Sequence, residues 1–169
     1  MKITIVGDSF TKGFLVDESY ARLLAKAGFD VKNISENGAN TLDCLNMYKE
    51  KKTDDEDLLI VFAGINDFYQ NYSVKFAYKN VKSILNLSQA RMKMIILAPY
   101  IEEDRAYSFY KMINEKIDSF DEKLKNLAYP FVDARLIEGR YIDGLHRAGN
   151  FHQNLSKEIK EKIKEVNKQ

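Results

Sequence analysis

The sequence predicts a three-layer α/β/α domain built on a central parallel sheet of about five strands. Three observations carry this. Short apolar runs rich in β-branched residues recur at Ile3–Val6, Val31–Ile34, Leu58–Phe62, Met94–Leu97 and Phe131–Val132. Stretches with apolar residues at helical spacing lie between them, and such alternation implies parallel strands with helices on both faces. No internal repeat, low-complexity tract or linker interrupts the pattern, and 169 residues suit one domain with a full core.

The elements follow in order. Lys2-Ile3-Thr4-Ile5-Val6 reads as a buried first strand, and Gly7 lets the backbone turn sharply after it. Ser9 is therefore expected on a loop at the carboxyl end of that strand, the edge where open α/β sheets hold ligands. Taken alone, Asp8 and Ser9 read equally well as a turn or a helix cap. Phe10–Asp17 is expected to be a loop carrying Gly13, followed by a helix from about Glu18 to Lys26 that Gly28 ends. Ser35–Asn40 reads as a loop containing Gly38, with Thr41 as cap of a helix whose apolar face is Leu42, Leu45 and Met47. Asp54–Asp57 reads as a solvated turn, because adjacent carboxylates do not converge on a metal unaided.

Leu58–Phe62 is the clearest buried strand, and Ala63-Gly64-Ile65-Asn66-Asp67 follows it. Helices are expected over about Ser73–Gln89 and Ala106–Leu127, with Ala98-Pro99-Tyr100 leaving the fourth strand. Leu136–Gly149 reads as a loop. A closing helix over about Phe151–Asn167 carries Leu155, Ile159, Ile163 and Val166 on one face. The expected strand order is 2-1-3-4-5.

Composition excludes several classes. Lys+Arg is 26 and Asp+Glu is 25, a formal net charge of +1, which makes no electrostatic case for nucleic acid or a membrane surface. No run approaches the ~20 apolar residues of a membrane span. The apolar run at Ile3–Val6 is too short for a secretory leader. Cys44 is the sole cysteine, so no intrachain disulfide forms; it is expected to pack as a small apolar residue in a reducing, cytoplasmic setting. Oligomeric state is not legible.

Four segments carry polar residues suited to chemistry: Ser9, Gly38, Asn66, and the run Asp143-Gly144-Leu145-His146. In a parallel sheet the first three open on one edge, and the fourth can reach it from the loop before the last helix. A serine hydroxyl needs a base to act as a nucleophile, and a histidine base needs a carboxylate to orient it. Asp143 stands three residues before His146, close enough to fold back on its ring. A tetrahedral oxyanion needs donors, and the N–H groups of Ser9 and Gly38 and the amide of Asn66 are suitable.

These segments resemble the SGNH hydrolases, also called GDSL-type esterases. Gly7-Asp8-Ser9 matches the first block, Gly38 within Asn37-Gly38-Ala39-Asn40-Thr41 the second, Gly64-Ile65-Asn66-Asp67 the third, and Asp143-Gly144-Leu145-His146 the fifth. All four occur in order and span nearly the whole chain. The resemblance implies a flavodoxin-like α/β/α fold, Ser9 as nucleophile, His146 as base and Asp143 as its orienting acid. It also implies an oxyanion hole from Ser9, Gly38 and Asn66, no cofactor and no metal, and a small acyl ester as substrate. One departure stands out: Ser35 occupies a place where the family often has a further glycine.

Other readings bound this one. His152 is the rival histidine, but it lacks an acid three residues earlier and begins a helix, so it is expected at the surface. Asp67 is expected to be structural, bonding backbone near Asn66. Phe68, Tyr69, Tyr72 and Tyr100 read equally as the mouth of the site or as ordinary core and rim. The ordinary α/β-hydrolase elbow is rejected, because Thr11 stands where its second glycine belongs. A flavin- or phosphate-binding module of flavodoxin-like fold is the alternative of another class, yet Lys12 precedes Gly13 and the phosphate-loop pattern is missing. A catalytically silent binding protein is the third alternative. The acyl acceptor, water or another alcohol, is not legible.

Overall fold

Every strand of the sheet is parallel, and the order is β2-β1-β3-β4-β5 in a computed structural model that describes residues 1–102 and 108–168. The strands are β1 (Lys2–Gly7), β2 (Asp30–Ser35), β3 (Leu58–Phe62), β4 (Met92–Leu97) and β5 (Phe131–Asp133). The helices are α1 (Ser9–Lys12), α2 (Tyr20–Lys26), α3 (Thr41–Lys51), α4 (Ile65–Tyr69), α5 (Val74–Leu87), α6 (Ser108–Lys125) and α7 (Gly149–Val166). The strand order is the expected one. The first residues of the helix expected from Ala106 lie outside the described residues.

The topology fixes the layers. The step from β1 to β2 runs one way across the sheet, and every later step runs the other way. Right-handed crossovers therefore put α2 on one face and α3, α5 and α6 on the other. The packing agrees: α2 meets α7, while α3 meets α5 and α5 meets α6. The direction reverses between β1 and β3, and the crevice at their carboxyl ends is where such sheets bind ligands. All of β3 is buried between the layers, as its unbroken apolar run requires. The edge strand β2 is half exposed along Asp30–Asn33, where polar side chains blunt the open edge.

Three local features differ from the sequence reading. Ser9–Lys12 forms a helical turn instead of loop, because the buried Asp8 carboxylate accepts from Phe10 N at 3.0 Å as an N-cap. Asn40, not Thr41, caps α3: its Oδ1 accepts from Leu42 N (2.9 Å) and Asp43 N (3.0 Å), and Asp43 accepts back from Asn40 N (3.0 Å). Ser35 is accommodated without glycine; its hydroxyl donates to Asn33 Oδ1 at 2.5 Å, and Asn33 Nδ2 donates to Thr11 O at 3.1 Å. Cys44 is buried, as expected, with its Sγ 3.6 Å from Gly7 O.

His152 corrects the sequence reading outright. It is 2% exposed, wedged between α7 and α2. Its Nδ1 accepts from Tyr20 N at 3.3 Å, and its ring lies parallel to that of Tyr20. The N–H of Tyr20 begins α2 and has no partner within that helix, so the neutral imidazole satisfies a donor the helix leaves free. Burial, and next the neighbouring His146, push its pKa from the ordinary 6.5 to about 4. The unfolded chain therefore binds this proton below pH 6.5 while the fold refuses it until about pH 4, so stability falls as pH drops through that window. Wild type is expected to lose up to about 1.4 kcal/mol more per pH unit than His152→Gln across that range. Urea unfolding of both proteins between pH 4 and 7 measures this; parallel stability curves would contradict it.

Candidate active site

The first strand ends where no side chain other than hydrogen fits. A Cβ on Gly7 would lie 2.2 Å from Thr11 Oγ1 and 2.7 Å from Phe62 O, so β1 and the turn after it close tightly. This brings Ser9, the first residue of α1, to the carboxyl end of β1.

Ser9 Oγ lies 3.0 Å from His146 Nε2, and His146 Nδ1 lies 2.8 Å from Asp143 Oδ2. With the Nδ1–H donated to the carboxylate, Nε2 is left to accept the serine proton. The second oxygen of Asp143 accepts from His146 N (2.7 Å) and Leu145 N (3.0 Å), so the carboxylate is gripped from three sides. Burial alone would raise its pKa, but these bonds outweigh that and hold it below the usual carboxylate value. Two phenylalanines flank the imidazole. The Phe10 ring lies 5.6 Å away on the core side, and the Phe14 ring 4.9 Å away.

The loop carrying this pair is fastened at several points. Ile142 N donates to His146 O, and Ala148 N to Arg140 O, each at 2.8 Å. Tyr141 and Arg147 form a bridge, with the guanidinium 3.8 Å over the tyrosine ring and donating to Gly139 O at 2.6 Å. Glu102 N donates to Gly144 O, and Tyr141 Oη to Tyr100 O, each at 2.8 Å, tying the loop to the segment after β4. None of these contacts has a local sequence signature.

The segments carrying the other two candidate residues, Gly38 and Asn66, are linked through Ala39 and Gln70. Asn66 Nδ2 donates to Ala39 O at 3.0 Å and approaches Asp8 Oδ2 at 3.4 Å. Gln70 links the same loops: its Nε2 donates to Gly38 O (3.2 Å), and its Oε1 accepts from Asn40 Nδ2 (2.8 Å). Asp67 bonds backbone in the same segment that Asn66 touches, as expected. Its carboxylate accepts from Thr41 N (2.8 Å) and Thr41 Oγ1 (2.6 Å), which seats α3 under the site. Burial raises the pKa of Asp67, and it pushes Asp8 up to about 7, helped by the nearby Asp67 charge and opposed by the Phe10 N–H.

The four aromatic residues separate. Phe68 is core, packed edge-on to Phe120. Tyr69 is half-buried against Phe109, and Tyr72 is exposed and stacked on Phe76. Tyr100 lies at the rim with its hydroxyl donating to Asp118 at 2.6 Å. Among the described residues, no group of His, Cys, Asp and Glu is arranged to hold a metal ion. No helix there is long and apolar enough to cross a membrane.

The sequence profile of the GDSL-like lipase/acylhydrolase family matches residues 5–154. No curated protein matches the chain. Among solved structures, the fold superposes on a lipolytic protein of the G-D-S-L family from Veillonella parvula with a TM-score of 0.79 at 17% identity, over 95% of this chain and 97% of that one. A lipase/acylhydrolase from Enterococcus faecalis gives 0.78 at 25% identity, over 98% and 96%. A carbohydrate acetylesterase from Sinorhizobium meliloti gives 0.76 at 16% identity, over 98% and 99%.

Gly64 offers a test of how tightly the third segment is held. Its φ is +134°, and a Cβ there would lie 2.4 Å from the Phe120 ring. Backbone strain and overpacking together are expected to cost Gly64→Ala about 2–5 kcal/mol. Thermal unfolding reads this as a Tm fall of roughly 5–15 °C. A Tm within about 2 °C of wild type would mean the turn has room to relax.

Proposed function

The chain belongs to the GDSL-like lipase/acylhydrolase family, and on that premise we propose that it is a serine ester hydrolase working through an acyl-enzyme. The single observation that supports this most is the continuous chain Ser9 Oγ–His146 Nε2–Nδ1–Asp143 Oδ2, at 3.0 and 2.8 Å. The reading takes residues 1–169 as one hydrolase domain and a small acyl ester as substrate.

In this mechanism Ser9 Oγ attacks the ester carbonyl carbon while its proton passes to His146 Nε2. Asp143 stays ionised and stabilises the imidazolium; the bonds that lower its pKa suit that task. Negative charge develops on the carbonyl oxygen, facing the N–H groups of Ser9 and Gly38 and the Asn66 amide. Asn66 has one short bond to Ala39 O and a longer approach of 3.4 Å to Asp8. The longer contact is the weaker and is the one exchanged for the oxyanion. His146 then gives its proton to the leaving alcohol as the C–O bond breaks. Water, deprotonated by the same imidazole, releases the acid and restores Ser9.

A fluorophosphonate probe followed by peptide mass analysis is expected to find its adduct on Ser9, and Ser9→Ala to lose esterase activity on short-chain esters. Single losses of Ser9 and His146 are expected to cost about as much as the double loss, since the two act as one unit. Asn66→Ala is expected to lower kcat about 10²–10³-fold with KM little changed. Labelling at another serine, or full activity in Ser9→Ala, overturns the nucleophile; an unchanged kcat per folded molecule removes Asn66 from the oxyanion site.

A further inference from the structure

Resting on the hydrolase reading above, we propose that Phe14 is the contact surface for the leaving alcohol, and that the preferred leaving group carries a ring or comparable apolar face next to the ester oxygen.

The argument begins with proton transfer. The leaving oxygen must take its proton from His146 Nε2, so it comes within ~2.6–3.2 Å of that atom. The first carbons of the alcohol therefore lie against the rim of the imidazole. The oxyanion and acyl portion lie on the other side, toward Gly38 and Asn66, which the loops after β2 and β3 supply. Two aromatic rings border the imidazole. Phe10 is buried among Phe62 and Phe151 and has no face to offer. Phe14 is 41% exposed, and its ring centroid lies 4.9 Å from that of His146. It is the apolar surface a leaving group meets first.

The surface is held in place, and two further exposed apolar residues adjoin Phe14 and Asp143 in the chain. Phe14 N donates to Ser9 O at 3.0 Å, so the ring hangs from the same turn as the nucleophile. Leu15 is 52% exposed and Ile142, next to Asp143, is 38% exposed. Both line a cavity of about 690 Å³ whose walls also carry Asp17, Glu18, Arg140 and Gln153. Phe14 itself is therefore the exposed apolar group beside His146, where burial by substrate would be favourable.

The test compares two pairs of esters. Benzyl acetate and ethyl acetate differ in the leaving alcohol; methyl phenylacetate and methyl acetate differ in the acyl group. Each pair gives a ratio of kcat/KM, and a ratio measured on one sample cancels the folded fraction. Wild type is expected to favour benzyl over ethyl acetate about tenfold, the range of a well-packed aromatic contact. Phe14→Ala is expected to bring that ratio to within about twofold of unity, Phe14→Leu to retain part of it, and both to leave the acyl ratio unmoved. The proposal is overturned if wild type shows no leaving-group preference, if the preference survives Phe14→Ala, or if both ratios fall together. No Ser9-dependent turnover of any of the four esters overturns the hydrolase reading itself, a result distinct from turnover with an unmoved ratio.

Discussion

The pairing of β1 with both of its neighbours is the constraint on which everything else depends. Gly7 stands opposite Ser35 on β2 and Phe62 on β3. Adjacent strands lie about 4.8 Å apart, so three chain segments leave the sheet side by side within roughly 10 Å. Ser9 follows the first, Gly38 and Ala39 the second, Asn66 the third. The Asn66 amide then needs only its own length to touch both neighbouring segments, which it does at Ala39 O and Asp8 Oδ2. A one-residue slip of β1 would turn its side chains to the opposite face and remove the glycine from a place that tolerates none larger.

That closeness puts carboxylates where water cannot reach them. Asp8 and Asp67 are both buried, and that burial raises the pKa of each. Asp121, facing Arg135 at 3.7 Å, is likewise pushed up to about 7 by burial. For these groups the fold holds protons more tightly than the unfolded chain, so their contribution to stability is lost as pH rises, toward 7 for Asp8 and Asp121. His152 acts in the opposite sense, because its burial excludes a proton. The opposing signs offset one another between about pH 4 and 7, so the net slope of stability with pH understates each group.

The sequence was most legible where structure is local. Five consecutive apolar residues made β3 unmistakable, and strand–helix alternation gave the parallel sheet, while its order rested on fold-level analogy. The Asp143–His146 pair is local too, since its bond spans three residues. Reading failed where the deciding partner is distant or the element is short. A four-residue helix such as α1 has no periodicity to detect, and only its Asp8 cap could have given it away. His152 looked like a surface residue at the start of a helix because its partner, Tyr20 N, lies 132 residues earlier. Thr41 looked like a cap, but Asn40 supplies two acceptor contacts while Thr41 is occupied by Asp67 from α4. Phe14 left no sequence signal at all, because an exposed phenylalanine on a loop is unremarkable until a histidine from far along the chain is laid against it.

The fourth segment shows how a loop that follows no strand exit directly is still brought to the site. Between Gly139 and Ala148 the chain folds back on itself through the Tyr141–Arg147 bridge and the Ile142–His146 backbone bond. The Arg147 guanidinium is buried, and among the described residues it pairs with no carboxylate within 4 Å. Its charge is met instead by the Tyr141 ring at 3.8 Å and the Gly139 carbonyl. Cation–π contacts strengthen as water is removed, so a desolvated cation over an aromatic face suits this place. A mobile carboxylate partner would have invited competition for the neighbouring imidazole; a ring and a carbonyl cannot take its proton. The tie toward the sheet is then made by backbone, Glu102 N to Gly144 O, which holds the turn between Asp143 and His146 without adding another titrating group. Among the described residues Asp143 is left as the one carboxylate bonded to His146, with its own charge held by three N–H donors.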